Sequence, residues 1–372
     1  MDTEKKSIFK RIVSTRGMGQ VLTVTVGFIL LCIVFAIINP NFVSLRNISN
    51  LLRQIVPYLI IGIAQSYVLI TGNIDLSIGS IVGMSCMMSA TMMYKGVNPV
   101  LACLVTLVAC LLFGLINGLL VGKYKLPPFI ATLGTMTICR GIAQVVNNNH
   151  NTDAIDNTKN FLQNNVLAGF FRDVFYSGKV VTLGNEQKQA FIIYSGVILA
   201  VLIWAVFNFL LSRTRTGRHI YAVGSNVEAA KFSGVNVVAT TCKVYLISAL
   251  CSCVVGFITT ATTGMGTMDA GNTYELYAVA ASVIGGVSTL GGQGILLGTV
   301  VGAAIWAVLQ NGLSLANALV GIKNIVVGVI VVLSVLLDVL IRGGASGGLK
   351  NFFGLRWFLR PGEGQKTSTP PR

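Results

Sequence analysis

Charge is what this chain most lacks. Asp, Glu, Lys and Arg make up only 10% of its 372 residues, where a water-soluble domain carries about a quarter. With so few groups to solvate, most of the surface must face something other than water, and a mean hydropathy of +0.76 agrees. Histidine is nearly missing: His150 and His219 fall in different loops. No His-Glu-x-x-His, no Gly-x-Ser-x-Gly and no paired carboxylates occur, so an enzymatic reading has little chemistry to use. Gly286-Val-Ser-Thr-Leu-Gly291 has the glycine spacing of a phosphate loop, but Gly292-Gln293 stands where Lys-Ser/Thr is required. The chain therefore holds no nucleotide site of that kind, and any ATP must be hydrolysed elsewhere. No catalytic and no metal-binding residues are assigned.

What is present is a series of long apolar runs. Val21–Ile38, Val100–Leu120 and Ile192–Leu211 have about the ~20-residue length that crosses a bilayer core. The first exceeds the ~7–15 apolar residues of a cleavable signal, and Asn39-Pro40-Asn41-Phe42 is a poor cleavage site, so it reads as a retained span. Candidate spans are 20–38, 54–71, 75–94, 98–120, 128–147, 190–211, 242–263, 274–290, 295–316 and 323–341. The expected fold is an all-α polytopic membrane helix bundle of about ten spans. The third and eighth spans, 75–94 and 274–290, are rich in glycine and hydroxyl residues and are the ones expected to be broken or re-entrant.

The net charge of +15 comes from short basic clusters between apolar runs, the pattern of inside loops and not of a nucleic-acid surface. With both termini in the cytoplasm, 18 of the 27 basic residues fall inside, as the positive-inside bias requires. This divides the chain into a cytoplasmic segment 1–19, a membrane domain 20–341 and a basic cytoplasmic tail 342–372. Within the membrane domain, loop 148–189 falls outside and the basic loop 212–241 inside. The tail mixes aromatic and basic residues from Phe352 to Arg360, which suits a segment lying on lipid; a disordered tail is the alternative. The eight cysteines sit in apolar stretches and read as small hydrophobes.

Two halves repeat weakly. Asn117-Gly118-Leu119 and Asn311-Gly312-Leu313 match, with Gly134 and Gly328 at the same offset. Ile70–Ser77 and Ile284–Gly291 precede them in the same order. The two Asn-Gly helices run in opposite directions in this topology, the arrangement of an inverted repeat.

Few polar residues enter the apolar runs. Asp75, within Thr71-Gly-Asn73-Ile-Asp75-Leu-Ser77, is expected to cap the third span, with gating or solute contact as the second reading. Glu275 opens the eighth span in the same way, and Tyr274 and Tyr277 suit an interfacial aromatic belt. Asp338 and Arg342 are spaced as an i,i+4 pair. On the inside, Ser225 to Glu228 has capping-box spacing and Gly234 can close a helix. This short bounded helix lies on the membrane or docks into a partner, with Ala229, Ala230 and Phe232 as its apolar contact.

These stretches, together with Pro40-Asn-Phe-Val-Ser-Leu-Arg-Asn-Ile, Pro127-Pro-Phe129-Ile-Ala-Thr-Leu-Gly134, Thr216–Lys231 and Tyr274–Gly286, resemble the permease subunits of bacterial simple-sugar ABC importers of the ribose, xylose and galactose type. The resemblance runs from about residue 20 to 341. It implies a permease dimer in the inner membrane, an ABC ATPase subunit carrying ATP and Mg, and an extracytoplasmic sugar-binding protein. It further implies an ATPase-coupling helix built from Ser225, Asn226, Glu228, Ala229, Ala230, Phe232 and Gly234, and a pathway or gate near Asn73, Asp75, Ser77, Phe129 and Glu275. Asn73 and Val287–Leu290 depart from the family's usual residues. The departures leave open a nucleoside or autoinducer permease of the same superfamily; an ion-coupled carrier is the remaining alternative.

Overall fold

The computed structural model describes residues 18–153, 155, 166–176, 178–182 and 190–343. In chain order the elements are α1 (Met18–Ile38), α2 (Leu45–Ile70), α3 (Ile78–Tyr94), α4 (Pro99–Gly122), α5 (Pro128–Val145) and α6 (Val166–Phe175). A hairpin of β1 (Gly178–Thr182) and β2 (Ala190–Tyr194) follows, then α7 (Ser195–Arg213), α8 (Arg215–Ser225), α9 (Val227–Phe232) and α10 (Val237–Thr263). The chain closes with α11 (Tyr274–Ile284), α12 (Leu296–Leu315) and α13 (Val320–Gly343). Residues 1–17 and the tail from 344, for which a lipid-bound segment was the expectation, lie outside the described residues.

Each of the ten expected spans contains one helix, but they differ in reach. Among the described residues six helices are long and apolar enough to cross a bilayer: α1, α2, α4, α7, α10 and α12. The eleven residues of α11 extend only ~16 Å, about half the ~30 Å hydrocarbon core. The helix alone therefore does not cross; the rest of the passage between the two ends is non-helical backbone. The helix stops at Gly285-Gly286, where Gly286 adopts φ +90°, a conformation that leaves the helix. Loop 148–189 holds α6 and the first strand of the antiparallel hairpin, with Gly178 opposite Tyr194.

Helix starts follow local chemistry. Asn98 accepts from the Val100 N–H at 2.9 Å ahead of Pro99, and Asn236 accepts from the Ala239 N–H at 2.9 Å. Burial then sorts the helices. Every residue of α2 from Leu59 to Ile70 is buried, whereas α1 exposes Ile29, Leu30, Ile33, Val34 and Ile37. A stripe of that kind is tolerable against lipid and not against water. Packing partners mirror each other across the two halves: α2 lies against α11 and α12, and α10 lies against α3 and α4.

The bundle has two ends. At one, α9 packs on α8 and α8 meets the end of α2, where the Gly292 N–H donates to the Ile70 carbonyl at 2.8 Å and Gly224 abuts the same carbonyl. At the other, the hairpin is fixed to the start of α2 by the Ile192 N–H, which donates to Ser49 Oγ at 2.9 Å. These are the α9 end and the hairpin end below.

Candidate functional site: the mid-bundle junction and the α9 end

The turn 71–77 lifts the chain from the α9 end back into the bundle before α3 begins. Thr71 Oγ1 donates to the Val68 carbonyl at 2.7 Å, and Asn73 Nδ2 donates to Thr71 Oγ1 at 2.9 Å. Asn73 thus steadies the turn itself. Asp75 is buried and fully engaged: Oδ1 accepts from the Ser77 N–H at 2.9 Å and from Ser77 Oγ at 2.6 Å, and Oδ2 accepts from Ser248 Oγ at 2.7 Å. Ser248 stands eleven residues into α10, so this carboxylate sits ~16 Å from that helix start, near mid-depth. Asp75 is not the helix cap expected for it. The N-cap position of α3 is Ser77, which makes no side-chain capping bond, and Asp75 closes the turn in front.

From Ser77 the network continues outward. Asn117 Nδ2 donates to Ser77 Oγ at 3.0 Å, and Thr135 Oγ1 donates to Asn117 Oδ1 at 2.8 Å. Tyr245 OH reaches the Ile74 carbonyl at 3.1 Å. One carboxylate therefore ties the α3 turn to α4, α5 and α10. A buried charge is costly at membrane depth unless donors surround it, and here three do.

Segment 267–273 enters the bundle from the hairpin end and delivers the first turn of α11 to the same level. Gly83 abuts the Ala270 carbonyl, and Gly79 abuts Gly271 and the Glu275 carboxylate. A Cβ at Gly79 would collide with both, so glycine is required for this approach. Arg140 of α5 holds the entering segment: its Nη1 donates to the Met268 carbonyl at 3.0 Å and the Ala270 carbonyl at 2.9 Å. Non-helical backbone at membrane depth needs such partners. Glu275 is half-buried, with Arg140 as its nearby cation. Tyr274 and Tyr277 do not form a surface belt; they pack with Tyr58, and Tyr277 rests on Trp306 at 5.1 Å between ring centroids.

The junction therefore gathers Asp75, Ser77 and Glu275 and leaves Asn73 one turn away. Phe129 does not join it, being 54% exposed on the first turn of α5. Sequence reasoning gave no site role to Arg140, Asn117 or Ser248. Two of them carried a signal, Arg140 as a lone charge in the run 128–147 and Asn117 as part of the Asn-Gly repeat. Asp338 also has a partner not anticipated: its Oδ2 accepts from Thr289 N–H at 3.0 Å and Oγ1 at 2.9 Å. The Arg342 side chain lies outside the described residues.

At the α9 end the short helix is real, but its start is shifted. Ser225 is the last residue of α8 and donates to the Tyr221 carbonyl at 2.8 Å. The cap is Asn226, in extended backbone, whose Oδ1 accepts from the Ala229 N–H at 2.9 Å. Gly234 closes the turn at φ +80°. Ala230 is buried, Glu228 and Ala229 are exposed, and Phe232 is 88% exposed.

Residues 47–335 match the family model for the permease component of the branched-chain amino acid transport system. The ribose import permease protein RbsC of Bacillus subtilis is 35% identical over 338 residues, covering 91% of this chain and 98% of the relative. The D-allose transport system permease protein AlsC of Escherichia coli is 34% identical, covering 84% and 92%. The galactose/methyl galactoside import permease protein MglC of Escherichia coli is 33% identical, with the same coverage. No solved structure matches the chain significantly. With a buried polar junction, lipid-suited outer helices and a family match over most of its length, the chain is a multi-pass membrane protein and belongs to the permease-component family of bacterial import systems.

Proposed function

We propose that this chain is the membrane permease of an ATP-driven importer for a monosaccharide of the ribose, allose or galactose kind. The observation that carries the reading is its similarity, along more than four-fifths of its length, to permeases of those three sugars. ATP and Mg are held by a separate ATPase subunit. An extracytoplasmic sugar-binding protein delivers the solute to the hairpin end of a permease homodimer. Both termini and the α9 end face the cytoplasm of the inner membrane.

The α9 helix is the contact with the ATPase. Phe232 and the exposed alanine edge offer apolar surface, and Asn226 and Gly234 keep the helix short and bounded. Movement of α9 reaches the bundle through backbone contacts. Gly224 abuts Ile70 and Gly291, and Tyr221 OH donates to the Gly294 carbonyl at 2.6 Å. The turn 285–294 joins α11 to α12, so a displaced α9 shifts α11 and the end of α2 together. The junction of Gly79 with Glu275 then opens or closes.

Reconstitution in liposomes with the co-encoded ATPase and binding protein tests this directly. ATP-dependent uptake of D-ribose, D-allose or D-galactose is expected, and Glu228→Arg on the exposed face of α9 should abolish it while the permease stays in the membrane. Uptake that needs no ATPase and follows an ion gradient would replace this reading with a secondary carrier.

A further inference from the structure

We infer that a cavity at the hairpin end is a receiving site for a neutral sugar, which binds there against tyrosine side chains before it passes to the junction; the inference rests on the monosaccharide reading above. The cavity holds about 280 Å³, room for about nine waters at ~30 Å³ each, which is the scale of one pentose or hexose ring. Its walls come from five places in the chain: α2, the end of α6, the junction of β2 with α7, the end of α10 and the start of α11.

The lining has the two chemistries a sugar needs. For the C–H faces of the ring there are flat aromatic surfaces. Tyr176 and Tyr194 stack with centroids 5.7 Å apart at 29°, and both border the cavity. For the hydroxyls there are Arg53, Gln54 and the threonines of the last turn of α10. Arg53 is already positioned, with its guanidinium carbon 5.4 Å over the Tyr194 ring and Nη1 donating to Tyr176 OH at 3.2 Å. Its remaining N–H groups are the fixed fork that pairs with vicinal oxygens. No carboxylate lines the space among the described residues.

One further observation ties the cavity to the junction. Tyr58 and Tyr274 line the same cavity, and Tyr274 immediately precedes Glu275 of the junction. The cavity thus adjoins the place where α3 and α11 meet, on the end away from α9.

The test uses the complete complex in lipid nanodiscs. Thr262→Cys places a thiol at an exposed position on the lining, Lys95→Cys places one elsewhere at the hairpin end, and the parent protein reports the background from native cysteines. Maleimide labelling is followed with D-ribose, D-allose, D-galactose or D-ribose 5-phosphate present. The imported sugar should slow labelling at 262, by about threefold at twice its Kd, and leave position 95 unchanged. Tyr194→Ala should raise the KM for uptake severalfold with little change in maximal rate, and Tyr194→Phe should restore it. If the complex imports a sugar that gives no protection at 262, the receiving site is wrong and the importer reading stands. Stronger protection by the sugar phosphate overturns the assignment to a neutral sugar. If no sugar is imported, the monosaccharide reading fails and this inference falls with it.

Discussion

Two short helices, α3 and α11, begin near the middle of the bundle, and their first turns are built differently. The acid ahead of α3 is riveted: Asp75 accepts three hydrogen bonds, all at 2.9 Å or less. The start of α11 is loose by comparison. Its N-cap residue, Thr273, sits at φ 62° and makes no side-chain capping bond. The Glu275 carboxylate hydrogen-bonds no other side chain among the described residues. A charge at membrane depth is costly unless donors surround it; three hydrogen bonds offset that cost at Asp75, whereas half-buried Glu275 has the charge of Arg140 nearby and no side-chain donor among the described residues. The first carboxylate serves architecture; the second is available to a solute or to a second conformation.

The largest expected effect breaks the riveted side. Asp75→Ala leaves the Ser77 N–H, the Ser77 hydroxyl and the Ser248 hydroxyl without their acceptor, a loss of about 3 kcal/mol or more at ~1–3 kcal/mol per buried group. Thermal unfolding in detergent should show a large drop, while Asp75→Asn, in which Ser248 can turn to accept, stays close to the parent. An alanine variant as stable as the parent would remove the rivet from the comparison.

Arg140→Leu comes next, since it strips two carbonyls of their donor at membrane depth, at roughly 2–3 kcal/mol. A thiol introduced at Thr267 should then become more reactive, and Arg140→Lys should recover part of the protection. Glu275→Gln sharpens the contrast from the loose side. Stability should move by less than ~0.5 kcal/mol while the uptake rate falls severalfold. Early melting with normal uptake would place Glu275 in the same class as Asp75. The smallest effect carries the comparison to the α9 end: Asn226→Ala should cost ~0.5–2 kcal/mol of local helix stability and lower ATP-coupled uptake. Ser225→Ala, which removes no cap, should leave it near the parent rate.

The sequence was most legible where solvent dictates pattern. Ten apolar runs announced ten helices, because lipid demands continuous apolar length whatever the partner. At α11 it was legible in part: the glycines marked 274–290 as a run that breaks, but the apolar stretch Ala278–Val283 continues to Val287 and hid how short the helix is. At the α9 end, adjacent Ser225 and Asn226 both suit a cap. The choice fell to Asn226 because α8 carries its helical backbone through Ser225. The role of Arg140 was invisible because its partners are backbone carbonyls 128 and 130 residues away. The tyrosine cavity was hidden for the same reason: its walls are joined only by folding.

The α9 end is fastened to the bundle through bare backbone, with Gly224 seated on the carbonyl of Ile70 and Gly291 against Gly224. Apart from the Tyr221 hydroxyl on the Gly294 carbonyl, a joint of that kind has no side chain to trim, and a Cβ added at 224 would meet the Ile70 carbonyl, so the one-methyl step from glycine to alanine there should displace the joint. The cavity at the other end is lined by side chains that can be exchanged one at a time. Lineages descending from such a chain are free to change their diet at the hairpin end, while the joint is inherited with little to vary.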